Sequence, residues 1–285
     1  MNIDLCSDYA RIKTNIVEGT VGYLGFNQSV KHLIVGVSGG IDSALTCALA
    51  MEVCKLTETK LIGLTMPIET NKSDEMRRAE LVGKAFCYNW SSTLEPLDVL
   101  NAYRRTRTFA NLHTEDSMSH EQKVRLGNLK ARIRMIFLYD LAKQHNGMVL
   151  GTDNLSEFML GHWTLHGDVG DYGMLQYLWK SEVYGLATHI MSNYNDGYAR
   201  AYALERCIGA IPTAGLGVTD SDFDELGEDS YEKIDDILIS FLKGQEDLKE
   251  HATIERHLKT NYKRLNPFNL TRENILQKCV WEGKK

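Results

Sequence analysis

The run Leu33-Ile34-Val35-Gly36-Val37-Ser38-Gly39-Gly40-Ile41-Asp42-Ser43 constrains this chain more than any other stretch. Its apolar half predicts a buried strand over about 33–37, and Asp42-Ser43-Ala44-Leu45 opens a helix over about 42–54. The two glycines between them let the backbone turn sharply and turn its N–H groups outward. The following helix adds the positive end of its dipole, so the turn is built to hold an anion. Ser38 and Ser43 add hydroxyl donors. Asp42 would repel a phosphate unless a metal ion lay between them, so the loop predicts a Mg²⁺-bound polyphosphate. The plainer reading is a strand-to-helix turn in which Ser38 or Asp42 caps the helix.

Further along, Lys60–Met66 predicts a second strand stopped by Pro67, followed by a helix over 73–87. A weak strand at 90–94 and a helix starting near Pro96 come next. A long helix over 121–145 puts Leu126, Leu129, Ile133, Ile136, Phe137 and Leu141 on one face and Arg125, Asn128 and Arg132 on another. Met148–Thr152 reads as a buried strand and 154–160 as the start of a helix. Residues 106–120 and the glycine-rich 161–179 read as loops. Helices are expected over 8–30, 180–193, 230–243 and 245–260. The acidic stretch 212–229 reads as a flexible flap outside the core. Strands alternating with helices imply an α/β fold, a doubly wound parallel sheet flanked by helices. Ligands of such sheets sit at the carboxyl ends of the strands, where 38–43 lies.

The chain's 285 residues suffice for a substantial core, and its net charge of −6 argues against a dedicated nucleic-acid binder. No apolar run is long enough to span a bilayer, and Met1–Cys6 lacks the pattern of an export signal. Six scattered cysteines without a C-x-x-C pair suit free thiols in a reducing cytoplasm.

Ser38–Ser43 lacks the ending of a Walker loop and resembles the PP-loop of the ATP pyrophosphatase superfamily, whose members cleave ATP between its α- and β-phosphates. Five further stretches follow in order: Gly127–Met135; Gly151-Thr152-Asp153-Asn154-Leu155-Ser156-Glu157; Thr164–Asp168 through Trp179-Lys180; Pro212-Thr213-Ala214 with Glu225-Leu226-Gly227; and Lys259–Arg264. The series resembles the ammonia-dependent NAD synthetases over about 33–267. The resemblance implies an adenine nucleotide alpha hydrolase-like fold and one catalytic domain across 1–285. It also implies ATP as co-substrate, Mg²⁺ as cofactor and a homodimer with deamido-NAD bound at the subunit interface. The implied reaction activates the carboxylate of deamido-NAD as an adenylate, releasing pyrophosphate, and ammonia then displaces AMP to give NAD. The stretch before residue 33 is too short for a glutaminase domain, so free ammonia is the expected nitrogen donor.

Carried over residue by residue, the resemblance implies ATP contacts at Gly36, Val37, Ser38, Gly39, Gly40, Ile41, Asp42, Ser43, Thr152, Lys180 and Thr213. Asp42 and Glu157 match the Mg²⁺ ligands, although Asn154 and Glu157 also have the spacing of a capping box. Arg132, Tyr262 and Lys263 match deamido-NAD contacts; each also suits an ordinary surface position. Asp171 matches a substrate position where a carboxylate could hold ammonium, or it is a loop acid bonded to nearby backbone. Lys180 would set a point charge against the separating phosphates. The sequence departs from the family pattern at Thr65, Leu165, Gly215 and Tyr262. His162 reads as a satisfied loop histidine and Trp163 as a packed aromatic. Other readings are a different PP-loop amide ligase or a non-catalytic nucleotide-binding relative.

Overall fold

The computed structural model describes residues 2–69, 71–92, 97–109, 118–194, 198–213, 217–219 and 221–267, with Asn269, Arg272 and Leu276 beyond. Five parallel strands lie in the order β3-β2-β1-β4-β5. They are β1 (His32–Gly36), β2 (Lys60–Thr65), β3 (Asn89–Ser92), β4 (Gly147–Gly151) and β5 (Tyr172–Gly173). The central strand pairs with β2 from His32↔Lys60 to Gly36↔Leu64 and with β4 from His32↔Gly147 to Ile34↔Val149.

Both faces of β1 are buried, as parallel sheets require. Leu33 and Val35 pack on one side with α1 (Tyr9–Phe26), α2 (Ile41–Leu56), α3 (Ser73–Phe86), α7 (Lys180–Ser192) and α8 (Tyr198–Ile208). Ile34 packs on the other side with α4 (Leu97–Phe109) and α5 (His120–His145). A third cluster joins α6 (Leu155–Leu160), α9 (Phe223–Leu226), α10 (Tyr231–Leu242) and α11 (Ala252–Lys259) around Trp179. A short α12 (Asn261–Arg264) follows.

The expected doubly wound sheet is present, and four places differ from the sequence reading. Tyr172–Gly173 forms a two-residue edge strand on Leu150 and Gly151, inside a segment read as loop. Tyr198–Ile208 is a helix where none was expected; it buries Ala203, Leu204 and Cys207 against α3 and α7. Helix α4 continues to Phe109, into the expected 106–120 loop, of which 110–117 lie outside the described residues. The described part of 212–229, which leaves out 214–216 and 220, is packed into the fold where a flap was expected. Asp222 and Leu226 are buried, and the Tyr231 hydroxyl donates to Asp222 at 2.8 Å. Its Gly215 lies outside the described residues.

The Ser38–Ser43 turn joins β1 to α2. The Ser38 and Ser43 hydroxyl oxygens lie 3.0 Å apart, the Gly40 N–H donates to Ser38 Oγ, and the Ser43 hydroxyl donates to the Gly40 carbonyl. Gly39 has φ +84°, and a Cβ there would run into the Glu75 carbonyl and come within 2.8 Å of Ala79 N. Arg78 Nε donates to the Gly39 carbonyl at 2.9 Å, pinning the turn to α3. Gly39→Ala should therefore lower unfolding free energy by about 1–3 kcal/mol in urea titrations, from left-handed strain plus overlap with α3.

Candidate active site

A cavity of about 260 Å³ opens at the carboxyl ends of β1 and β4, between the two halves of the winding. Gly36, Val37, Ser38, Gly40, Ile41, Asp42 and Ser43 line it, as do Thr152, Glu157, Lys180 and Thr213. Gly39 stands behind, against α3. Apart from Gly39, the residues assigned to nucleotide and metal line one cavity from β1 and its turn, α2, the end of β4, α6, α7 and the segment after α8.

Lys180 is the hub of that site. Its side chain is 3% exposed, and its Nζ lies 2.6 Å from Asp42 Oδ2 and 3.2 Å from Glu157 Oε1. Burial opposes its charge, yet Asp42 and Glu157 outweigh burial and hold the ammonium well above the ordinary lysine range. Burial, opposed by Lys180 and reinforced by Asp42, pushes the Glu157 carboxyl up to about 7. Glu157 Oε2 accepts from Asn154 N and its own N–H donates to Asn154 Oδ1, so the capping box is real. The cap uses one oxygen of Glu157, and the other faces Lys180. Asn154 Nδ2 donates to Asp42 Oδ1 at 2.9 Å, fixing the second carboxylate.

The start of α7 is set from below. Asp235, fully buried on α10, accepts from Ser156 Oγ at 2.5 Å, Ser181 N at 2.9 Å and Ser181 Oγ at 2.7 Å. Ser156 Oγ in turn accepts from Lys180 N at 2.8 Å. One carboxylate thereby ties the N-terminal ends of α6 and α7 together, next to Glu157 and Lys180. Burial, opposed by the two serines, raises Asp235 to about 6.

The cavity also holds groups absent from the sequence assignment. Asp153, Asp168, Asp222, His162, Arg134 and Arg78 also line the cavity. Desolvation raises Asp153 well above the carboxylate range, with Asp168, Glu157 and Asp42 adding to it. Desolvation also raises Asp168 to about 6, opposed by the Thr164 N–H that its two oxygens accept at 3.0 and 3.1 Å. Asp222 goes the other way: burial is outweighed by His162, 3.6 Å away, and by Lys180 and Tyr231, giving about 2. Arg256 Nη2 donates to His162 Nδ1 at 3.0 Å; a guanidinium only donates, so the ring proton belongs on Nε2, facing Asp222. Arg134 donates to the Met66 carbonyl and to Asn71 Oδ1, and burial lowers it to about 10.

The positions matched to deamido-NAD lie outside this lining. Arg132 is exposed and its Nε donates to the Leu165 carbonyl at 3.1 Å. Lys263 Nζ donates to the carbonyls of Gly161 at 2.7 Å and Trp163 at 2.5 Å, and Tyr262 is 62% exposed. Asp171 accepts from the Tyr139 hydroxyl at 2.8 Å and from Val149 N at 3.0 Å, bonds that hold the edge of β4. Trp163 stacks on Phe158, 5.5 Å between centroids.

Asp42 and Glu157 suit a small hard cation: two carboxylate oxygens already converge on one ammonium. Among the described residues no group of three or more His, Cys, Asp or Glu is gathered as a ligand set. A divalent ion there would take its remaining ligands from phosphate and water.

This arrangement of a glycine turn, a helix N-terminus and a lysine–carboxylate hub at a parallel-sheet switch point is that of a nucleotide-binding α/β enzyme. A family model described as NAD synthase matches residues 13–269, and the chain belongs to that family. It is 32% identical over 245 residues to an NH(3)-dependent NAD(+) synthetase of Thermoplasma volcanium, covering 85% of this chain and 90% of the relative. It is 34% identical over 248 residues to one of Methanocaldococcus jannaschii, covering 85% and 84%. Among solved structures, NMN synthetase from Francisella tularensis superposes with a TM-score of 0.72 at 26% identity, covering 94% of this chain and 99% of that one. The NH3-dependent NAD synthetase from Campylobacter jejuni gives 0.67 at 26% identity, with 93% and 100% covered.

Asp235→Ala should cost about 3 kcal/mol of stability by chemical denaturation, because two hydroxyls and an N–H lose their buried acceptor.

Proposed function

We propose that this chain is an ATP-dependent ligase that forms the amide of NAD from deamido-NAD and free ammonia. The observation that carries the reading is the single cavity in which the glycine turn, Lys180, Asp42 and Glu157 converge. In the first step the nicotinate carboxylate attacks the α-phosphorus, the α–β bond breaks and pyrophosphate leaves. In the second, ammonia attacks the acyl carbon, the C–O bond breaks and AMP leaves with its electron pair. The Ser38–Ser43 amides and hydroxyls, with Thr152 and Thr213, bind and orient the triphosphate for in-line attack. Lys180 places its charge on the oxygens that gain charge as the phosphates separate. Asp42 and Glu157 would hold Mg²⁺, which supplies charge neutralisation between those carboxylates and the phosphates.

Ammonium is received at Asp168 beside Asp153, rather than at Asp171, whose carboxylate is bonded to Tyr139 and Val149. An ionised Asp168 attracts the cation and accepts the proton that must leave before nitrogen attacks. Deamido-NAD reaches from the cavity towards Arg132, Tyr262 and Lys263. Two of these three are exposed, so the substrate site needs a cover. A second copy of the chain supplies it: Ile136 (66% exposed) and Tyr139 (41%) flank Arg132 on the outer face of α5. No described helix is long and apolar enough to cross a membrane; as an ATP consumer the enzyme works in the cytoplasm.

The TM-score of 0.72 to NMN synthetase favours one second reading, amidation of the mononucleotide in place of the dinucleotide. One assay decides the reaction and the substrate. ATP, Mg²⁺ and ammonium are mixed with the protein and either deamido-NAD or nicotinate mononucleotide, and products are read by mass spectrometry. NAD, AMP and pyrophosphate in equal amounts support the proposal, faster amidation of the mononucleotide supports the second reading, and no AMP with either refutes both.

Asp42→Asn should lower kcat at least about 100-fold while leaving the far-UV circular dichroism unchanged. Because Asp168 loses its proton as pH rises through about 6, kcat/KM for ammonium should climb from about pH 5 to about pH 7, and Asp168→Asn should flatten that limb. Ile136→Glu should turn a dimer into a monomer in sedimentation velocity.

A further inference from the structure

Asn128, half-buried on the 127–135 helix motif, has no task in the proposed reaction. We propose that Asn128 is a positioning residue: through Thr164 it holds the 164–168 turn against α5 and so keeps the Asp168 carboxylate facing the cavity for ammonium. The inference rests on the assignment of ammonium to Asp168.

Four contacts carry it. The Thr164 hydroxyl donates to Asn128 Oδ1 at 2.7 Å. The Thr164 N–H is shared between the two Asp168 oxygens at 3.0 and 3.1 Å. The Gly167 N–H closes the turn on the Thr164 carbonyl at 2.9 Å. One helical turn beyond Asn128, Arg132 Nε donates to the Leu165 carbonyl at 3.1 Å. Thr164 is therefore bonded at its side chain to α5 and at its main chain to Asp168, so its placement sets that of the carboxylate. The turn has no slack against the helix. His166 adopts φ +59°, and a Cβ on Gly167 would lie 2.5 Å from Thr164 Cγ2 and 3.0 Å from Ala131 Cβ.

An Asp168 displaced by about 1 Å would still lie in the cleft and still attract a cation, but would present the captured nitrogen off the line of attack. A hydrogen bond that served only stability would affect every substrate and the melting temperature together. A positioning bond should act on the ammonium step alone.

Thr164→Val keeps the side-chain shape and removes the hydroxyl donor, whereas Thr164→Ser keeps the donor. Steady-state kinetics should give about a 10-fold rise in the KM for ammonium with Thr164→Val, with the KM for ATP within about twofold of the parent and Thr164→Ser close to the parent. Asn128→Ala, at a half-buried helix position that alanine suits, should show the same split and serves if Thr164→Val fails to fold. The double variant should be no worse than the poorer single one, since both remove one bond. Unchanged ammonium KM in Thr164→Val and Asn128→Ala, or an equal rise for ammonium and ATP, would overturn the proposal. Asp168→Asn measured alongside separates the two levels. If it raises the ammonium KM while the Thr164 and Asn128 variants do not, the positioning role alone fails. If Asp168→Asn itself leaves that KM unchanged, the assignment of ammonium to Asp168 fails and the positioning role falls with it.

Discussion

A lysine ammonium cannot be taken out of water without opposite charge close by, and Lys180 is almost wholly out of water. Asp42 and Glu157 provide that charge, and they come from different parts of the chain: the start of α2, behind the glycine turn, and the first turn of α6. Breaking such a buried pair costs about 3–5 kcal/mol, because the remaining charge is stranded. The hub therefore locks three helix N-termini around one point. Asp235 holds two of them from beneath through Ser156 and Ser181, and Arg78 holds the turn before the third.

The same constraint explains why the site is suited to polyphosphate chemistry. Asp42, Asp153, Glu157, Asp168 and Asp222 face one cavity together with Lys180, Arg134 and Arg78. Burial raises Asp153, Glu157 and Asp168, so the charge these acids carry depends on the cations that pair with them. The proposed sites for nucleotide, metal and ammonium all draw on this one arrangement of charges at the sheet's switch point.

Much of this was legible from residue order. The strand, glycine turn and helix at 33–54 formed where the apolar run and Gly39-Gly40 placed them, because those features act locally. Asn154 and Glu157 could be read as a capping box or as a metal site. The geometry accommodates both, since a carboxylate has two oxygens with different neighbours. What sequence could not give depends on distant contacts. Whether Asp168 or Asp171 faces the cavity is decided by the turn at His166-Gly167 and by Thr164 bonding to a helix more than thirty residues earlier. The 212–229 segment looked like a solvated acidic flap, but Asp222 is buried because His162 and Tyr231 meet it. Helix α8 escaped notice because its small and aromatic residues carry no strong period until α3 and α7 cover Ala203 and Leu204.

The account's central claim is that the 38–43 turn and the Lys180 hub together hold the triphosphate. A crystal structure with Mg²⁺ and a non-hydrolysable ATP analogue tests it most directly. The account predicts phosphate oxygens on the amides of the turn, Lys180 in contact with them, and a metal ion between Asp42, Glu157 and the phosphates. A nucleotide bound elsewhere, with Lys180 still paired to Asp42 and Glu157 and the turn bare, would contradict it.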